Sequence, residues 1–517
     1  RSAARGSDVQ ATRVREGEAG HNVSLDRTTG ETSSSPTVSS KLQRIAEQAV
    51  RYPEMTFTTL AHLIDQDLLR EAYRRTRKSG SPGCDGVTAA DYAVDLEGNL
   101  RDLHDRLRSG RYRAPPVQRA WQEKEDGSQR PIGKPTFEDK IVQRAVSMLL
   151  EQIYEQDFYD FSYGFRPGRS PHQALHELRE RCRTMNVHWL VDADVTGFFD
   201  NIDKRLLQDF IRRRVNDGGL RRLIGKWLNA GVLEGEDLTY SEKGTPQGGV
   251  ISPILANIFL HYVLDDWFVR EVQPRMRGRV FLIRFADDFV IGCELEEDAR
   301  RLMEVLPKRF SKHGLTIHPE KTKLIEFGRP RKQAAPQAKA GGKPNEPSGS
   351  KPAGAPGTGN GTFDFLGFTH YWGRSRKGTW VIKKRTSTKR IRRTKKSFWQ
   401  WCREHRHMPI AEQHKKLCAK LRGFFQYAGV RFNDQALESV LEDVKHRWKY
   451  GLGRHSSRWR RHRGFQGSHR GWLLEHNDFV IIFRLNRDGV FNAFGLNRLL
   501  HGIGFRLNLD RLLDALI

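Results

Sequence analysis

Two groups of acids carry the chemistry this sequence could do. Asp287 and Asp288 are adjacent within Phe281-Leu-Ile-Arg-Phe-Ala-Asp-Asp-Phe-Val-Ile-Gly-Cys293. The β-branched and aromatic runs on either side read as strands. That places the pair at the tip of a tight hairpin, where both carboxylates can reach one site. Two like charges held at the end of a buried hairpin are costly unless a cation neutralises them. A solvated turn is the plain alternative, because Asp is a favoured turn residue. Upstream, His188-Trp-Leu-Val-Asp-Ala-Asp-Val-Thr-Gly-Phe-Phe199 is a second strand candidate. Period two puts Asp192 and Asp194 on one face and Val191, Ala193 and Val195 on the other. A strand fit for burial has no packing reason for acids on one face. Three carboxylates from two adjacent antiparallel strands can bind two Mg²⁺ about 3.5–4 Å apart. Such a pair suits in-line nucleotidyl transfer, activating a 3′ hydroxyl and steadying the leaving pyrophosphate.

The elements that must position these acids belong to a long, basic chain. Its 517 residues give room for about three domains and a sizeable core. A hydrophobic content of 37% points to polar segments beside the folded parts. The net charge of +27 calls for a polyanionic partner, nucleic acid first. A membrane surface is the weaker choice, because no long apolar run or lipidation motif is present. Arg374 to Gly464 holds 27 Lys and Arg against 6 Asp and Glu, a net of +21. A basic segment beside a nearly neutral body reads as a binding arm; a merely solvated helical face would carry more compensating acids. Five scattered cysteines show no metal-binding spacing and suit a reducing cytoplasm. No signal peptide is read, and the chain begins at Arg1 rather than Met.

Along the chain, residues 1–40 read as a disordered leader. Helical periodicity begins near Lys41 and continues through Leu60–Lys78, up to a Gly/Pro loop at Ser79–Gly86. Leu96–Gly110 reads as a helix. Residues 117–135 form two strand-like halves around Asp126-Gly127, with Lys124 and Arg130 on opposite sides of that turn. Phe137–Gln156 carries a helical apolar stripe, and Ser162–Ser170 is a basic Gly/Pro loop. Asp200 and Asp203 read as helix caps. Gly244-Thr-Pro-Gln-Gly-Gly249 opens a long apolar helix, Val250–Phe268, whose first amides could hold phosphate. A helix over Glu296–Gly314 and a strand at Lys323–Phe327 follow. Residues 329–361 read as a flexible linker or insertion. Phe363–Trp372 reads as one aromatic strand that Thr379–Lys384 can pair with. Residues 385–450 read as mostly helical and basic, with Trp399, Trp401, Phe424, Phe425, Tyr427 and Trp448 among the cations. That interleaving suits phosphates and stacked bases, with some of the rings serving as core. His455, His462, His469 and His476 recur every seven residues, but intervening glycines spoil a helical metal site. Phe479–Phe483 reads as a strand and Leu496–Ile517 as a helix.

Several motifs in this order resemble the bacterial group II intron-encoded reverse transcriptases, or maturases. Phe285-Ala-Asp-Asp288 is similar to the family's Tyr-Ala-Asp-Asp box. Ala193-Asp-Val-Thr-Gly-Phe-Phe-Asp-Asn-Ile-Asp203 resembles its first metal-binding motif, and Gly244–Pro253 its nucleotide-pocket motif. Arg130-Pro-Ile-Gly-Lys-Pro135 and Tyr163-Gly-Phe-Arg166 resemble fingers motifs. Phe365-Leu-Gly-Phe368 resembles the primer-grip strand, and Leu421–Tyr427 the maturase thumb. The resemblance runs from about Lys41 to Arg454.

It implies an α+β right-hand polymerase: fingers and palm over 41–328 with an antiparallel palm sheet, the end of the palm over 362–384, and an α-helical basic thumb over 385–454. It leaves 455–517 as a tail of unknown role. Asp194, Asp287 and Asp288, with the Val195 carbonyl, would hold two Mg²⁺; Asp192 falls outside that triad. Lys124 and Arg130 would grip the dNTP triphosphate, and Gln247 would line the nucleotide pocket. Phe199 would exclude a ribose 2′ hydroxyl, and Lys321 would supply a proton to the leaving pyrophosphate. Cations suit developing phosphate charge, and a flat ring suits a place where a hydroxyl must clash. The implied partners are intron RNA, an RNA template and a DNA primer. The implied roles are splicing assistance and retrohoming within a bacterial, nucleoid- or ribonucleoprotein-associated cytoplasmic setting. Departures from the family are Phe285 for Tyr, Thr196 for the usual Lys, the long 329–361 insertion, and no Cys-rich H-N-H pattern. Two alternatives stay open: a splicing cofactor that binds RNA with an idle polymerase, and a domesticated enzyme of phage defence or repair.

Overall fold

A computed structural model describes residues 37–123, 129–240, 243–244, 248–330 and 361–454. The expectations for residues 1–36, the Asp126-Gly127 turn, most of the 329–361 insertion, the spaced histidines and the rest of the 455–517 tail lie outside the described residues.

Helix α1 (Val38–Arg51) is capped by Thr37. The helix expected to run on through Leu60–Lys78 is interrupted: a single 3₁₀ turn at Ala61–Leu63 precedes α2 (Gln66–Arg75). Pro53 brings no amide to such a helix. The Asp217 carboxylate instead takes the amides of Leu60 and Ala61 at 2.6 and 2.9 Å. After α3 (Ala89–Ala93) and α4 (Leu96–Arg108), β1 (Val117–Glu123) and β2 (Gln129–Lys134) form an antiparallel ribbon with Gln122 opposite Arg130. Helix α5 (Phe137–Asp157) is the central post, with α1 and α2 packed against it. Its Ile141, Val142, Ala145, Met148, Leu149 and Ile153 are all buried. Burying each of the larger side chains stabilises the fold by about 1.5–3 kcal/mol.

Helix α6 (Pro171–Thr184) starts at a Ser170/Gln173 capping box. Strands β3 (Trp189–Ala193) and β4 (Val195–Thr196) lead into the short α7 (Phe198–Asn201), then α8 (Lys204–Arg214) and α9 (Gly218–Leu228). Asp203 caps α8 through the Leu206 amide at 2.9 Å, as its position suggests. The short β5 (Val232–Glu234) lies parallel to β1 and is followed by β6 (Asp237–Thr239), completing a sheet of order β2-β1-β5-β6. Helix α10 (Ser252–Leu260) begins two residues later than expected, with Pro253 in its first turn, where a missing amide costs nothing. It continues through π-helical turns at His261–Asp265 and Phe268–Val272.

Strands β7 (Val280–Phe285) and β8 (Asp288–Cys293) form the expected hairpin, followed by α11 (Glu296–Lys312), β9 (Thr316–Ile317) and β10 (Lys323–Glu326). The sheet β10-β3-β8-β7 is antiparallel throughout. Its two faces sort by period two. Leu190, Phe281, Ile283 and Val290 pack with Ala174, Leu175 and Leu178 of α6. Val191, Leu282, Phe289 and Ile291 join the larger core with Leu302, Leu306 and Phe310 of α11. Burial on both faces explains why these strands are apolar runs rather than alternating ones.

The aromatic stretch Phe363–Trp372 is a hairpin and not the single strand expected: β11 (Phe363–Phe365) and β12 (Phe368–Arg374) turn at Leu366 and Gly367, both at positive φ (50° and 76°). Two such residues make the primed turn that matches strand twist. Strand β13 (Trp380–Thr386) pairs with β12 as expected. Three helices follow, α12 (Thr388–Glu404), α13 (Ile410–Ala428) and α14 (Asp434–Arg454). They share a separate core that includes Trp401, Leu417, Leu421, Phe425, Val440 and Trp448. A mixed α/β body with a helical basic region after it is therefore what the sequence builds.

Candidate active site

The acids meet where two strands change partners. Strand β3 ends at Ala193 and β4 begins at Val195, so Asp194 stands in the break and not within one continuous strand. The reason is β9, which pairs with β4 while β10 pairs with β3. The same segment pins the break: the His318 amide donates to the Asp194 carbonyl at 2.8 Å, and the Asp194 amide donates to Thr322 Oγ1 at 3.3 Å. Across the β3–β8 pair Asp192 faces Val290 and Ala193 faces Phe289. One more step along both strands sets Asp194 beside Asp288. Asp287 occupies the second place of the two-residue turn and Asp288 opens β8 opposite Phe285.

Charge is concentrated at this spot. Asp288 opens to solvent on one side and is enclosed by protein on the others; that enclosure, with Asp287, Asp194 and Asp192 beside it, pushes its carboxyl up to about 7. Asp192 is pushed up to about 7 by burial, with Asp194 and Asp364 adding to the effect and Lys323 opposing it. Burial also raises Asp287, against the pull of Arg130. Lys321 lies with its Nζ 3.4 Å from Asp194 Oδ2 and is 60% exposed. Arg130 stands exposed on β2, on the side from which it lowers both Asp287 and Asp288. Phe199, in α7, is only 9% exposed and packs edge-on against Phe198 at 5.3 Å. Val195 is buried on β4. Lys124 and Gln247 lie outside the described residues.

The donor set is all oxygen, which suits a hard divalent cation. Among the described residues no three His, Cys, Asp or Glu side chains stand ready as a complete cage. Mg²⁺ needs none: it is commonly held by one or two carboxylates and completed by water and substrate phosphates. The acidic cluster fits that mode of binding.

Comparison with known proteins bears on the family. Residues 122–370 match the family model described as reverse transcriptase (RNA-dependent DNA polymerase). Protein YkfC of Escherichia coli K12 is 37% identical over 327 residues, covering 56% of this chain and 84% of that protein. The group II intron-encoded protein LtrA of Lactococcus lactis subsp. cremoris is 33% identical over 300 residues, 56% of this chain. The chain belongs to the group II intron-encoded reverse transcriptase family. It covers 50% of the length of LtrA. A nuclear intron maturase of Arabidopsis thaliana mitochondria is 30% identical over 92 residues, 18% of this chain and 12% of that protein. No described helix is long and apolar enough to cross a membrane.

Beside the acids of this reverse transcriptase-family chain lie residues that pattern reading passed over. Arg284, Asp265 and Asn257 form a buried polar group directly under the turn. The available signal was Arg284 itself, a cation inside an apolar strand. Gly164 was another: a Cβ there would sit 2.1 Å from the Ala286 nitrogen, so the 161–166 loop lies directly on the turn. Phe165 after it holds φ +59° and is 56% exposed. Arg166 is not a free cation but a tether, bonded to Glu155 and to the carbonyls of Tyr159 and Ser162. In the basic helices the aromatics divide: Trp401, Phe425 and Trp448 are core, whereas Trp399 is exposed with Arg403 and Arg447 over its ring at 4.8 and 5.8 Å.

Proposed function

We propose that this chain is an RNA-directed DNA polymerase of the group II intron type, which also binds its intron RNA, assists splicing and serves retrohoming. The observation that carries this reading is the convergence of Asp194, Asp287 and Asp288 at one strand junction, with Lys321 beside Asp194. An RNA-binding module has no use for such a costly collection of negative charge. In this reading the chain is a right hand. Fingers and palm occupy 41–328, the end of the palm 362–384 and the thumb 385–454, joined by the 329–361 insertion.

Asp194, Asp287, Asp288 and the Val195 carbonyl would hold two Mg²⁺ ions, which supply Lewis-acid activation of a 3′ hydroxyl and charge neutralisation at the pyrophosphate. Arg130, with Lys124, takes the negative charge of the incoming triphosphate. The Phe199 ring, wedged by Phe198, forms the rigid wall against which a ribose 2′ hydroxyl clashes. By the resemblance, Gln247 would line the nucleotide pocket. Lys321 delivers a proton to the departing pyrophosphate from its position next to Asp194. The basic helices and the Trp399 face would grip the RNA template, DNA primer and intron RNA, in a salt-dependent way.

The test is primer extension on an RNA template with dNTPs and Mg²⁺. Asp287→Ala should lower extension by more than about 100-fold, the upper range seen even for groups one layer removed from a metal. A well-folded wild-type chain that binds RNA tightly but never extends a primer would instead leave a splicing cofactor as the function.

A further inference from the structure

The Asp-Asp turn rests on a fully buried ion pair. Arg284 and Asp265 are both 0% exposed, joined through Nε to Oδ1 at 2.7 Å and Nη2 to Oδ2 at 2.5 Å. The remaining Arg284 nitrogen, Nη1, donates to Asn257 Oδ1 at 2.9 Å and to the Ala286 carbonyl at 3.1 Å. Asn257 passes the connection on, donating through Nδ2 to the Gly164 carbonyl at 2.8 Å. The backbone does the same: the Arg284 amide donates to the Phe161 carbonyl and the Tyr163 amide to the Arg284 carbonyl, each at 2.9 Å. Asp265 closes the π-helical turn of the α10 helix, and such turns are frequent at functional sites.

The Ala286 carbonyl belongs to the central peptide of the two-residue turn, the one that leads into Asp287. Ala286 holds φ +57°, a conformation that disfavours a residue with a Cβ by about 1–2 kcal/mol. Turn types I′ and II′ differ by a flip of this same central peptide. A flip would change the dihedrals of Asp287 and so re-aim its carboxylate relative to Asp194 and Asp288. A buried ion pair is a weak source of stability, since apolar residues of like volume often serve as well. Its value here lies in direction: the guanidinium is held rigidly by Asp265 and Asn257 and aimed at that one carbonyl.

We propose that Arg284, held by Asp265 and Asn257, is a positioning residue that locks the central peptide of the catalytic turn. It thereby sets the placement of the Asp287 and Asp288 carboxylates for divalent cations. The inference rests on the polymerase reading for its consequence in catalysis, but its effect on cation binding can be read without catalysis.

The experiment compares wild type, Asn257→Ala and the double variant Arg284→Met/Asp265→Leu. The double variant removes both charges together and leaves neither stranded. Mn²⁺ binding to the protein without nucleic acid is titrated by electron paramagnetic resonance, and thermal unfolding is recorded alongside. Primer extension is run across Mg²⁺ and dNTP concentrations. The lock predicts folded variants whose Mn²⁺ affinity drops by about 10-fold or more, with kcat falling by a similar or larger factor and the dNTP KM little changed. Arg284→Lys should restore little, because an ammonium cannot hold Asp265 in a bidentate pair and reach the Ala286 carbonyl as well. Wild-type Mn²⁺ affinity in either folded variant overturns the proposal; Asn257→Ala decides alone should the double variant not fold. A wild type that binds Mn²⁺ but extends no primer defeats the polymerase reading, while the Mn²⁺ comparison still judges the lock.

Discussion

Lys321 and Phe199 make separable claims about single residues. Lys321 is exposed at the surface and paired with Asp194 at 3.4 Å, an arrangement that the proposed reading expects of a group that would reach a leaving pyrophosphate when substrate is present. General acids contribute about 10²–10⁴-fold. Lys321→Ala should therefore lower kcat by about 100-fold or more in single-turnover extension. Arg at this position should not restore it, because a guanidinium does not release its proton. Phe199 is held edge-on by Phe198 at 5.3 Å, the packing that the proposed role as a wall against an extra hydroxyl calls for. Phe199→Val keeps the site apolar while opening it. Ribonucleotide incorporation relative to deoxyribonucleotide should rise by up to about 100-fold, a typical limit for rejecting one hydroxyl sterically. Competition between the two nucleotides at one template position measures it.

At the scale of elements, the hairpin β7–β8 depends on a loop far from it in sequence. Gly164 abuts the Phe285–Ala286 peptide so closely that any Cβ would lie within 2.1–2.9 Å of backbone atoms. Backbone cannot rotate out of the way as a side chain can. Gly164→Ala should thus displace either the turn or the loop, destabilising the fold by about 1–3 kcal/mol. Activity should fall further than stability, since the displaced atoms adjoin Asp287. Denaturant titration and primer extension on the same preparation separate the two effects. The α12–α14 unit is tied to the sheet β11–β13 by comparable detail. Tyr427 Oη donates to the Leu366 carbonyl at 2.7 Å, and Asn433 bonds to Thr386 through both its amide oxygen and its amide nitrogen. Those bonds couple the basic helices to the strands that resemble the primer grip.

For the molecule as a whole, two buried histidines set an acid limit. Burial holds His370 down to about 3, with Lys384 adding to the effect, and holds His261 down to about 4, with Asp265 and Asp266 opposing and Arg284 and Arg270 assisting. Both are lower than the unfolded value of about 6.5, so the unfolded chain takes up protons first as pH falls. Their contribution is complete above pH 6.5 and is lost as the pH drops toward 4 and 3. Each group should add a slope of about 1.4 kcal/mol per pH unit in that window. Unfolding free energies measured from pH 7 to 4.5 should show it. His370→Leu, which leaves no ring to protonate beside Phe363, should flatten the curve by one such slope. An unchanged curve would show that His370 takes up its proton alike in the folded and unfolded chain, overturning the burial argument.

What the sequence by itself determined is local. Period-two runs marked β3, β7 and β8, because side chains alternate across a strand wherever it lies. Asp287 and Asp288 were legible as a hairpin tip, because two apolar strands leave few other places for adjacent acids. The charge imbalance of the 374–464 segment was legible from counting alone. Motif order indicated the family, which the matched region 122–370 bears out. What tertiary structure decided depends on partners distant in the chain. Asp194 stands at a strand break because β9 and β10 divide the pairing between them. Phe363–Trp372 folds back on itself because Leu366 and Gly367 both turn left-handed, which an apolar pattern does not encode. The helical periodicity expected through residue 60 is not realised there: α1 ends at Arg51, and Asp217, far along the chain, takes the Leu60 and Ala61 amides instead. Arg284 shows the same division: its charge was visible within an apolar strand, but its meaning came only when Asp265, Asn257 and Ala286 closed around it. Hydrogen-bond direction and burial are properties of the assembled neighbourhood, and one strand's residues cannot specify them.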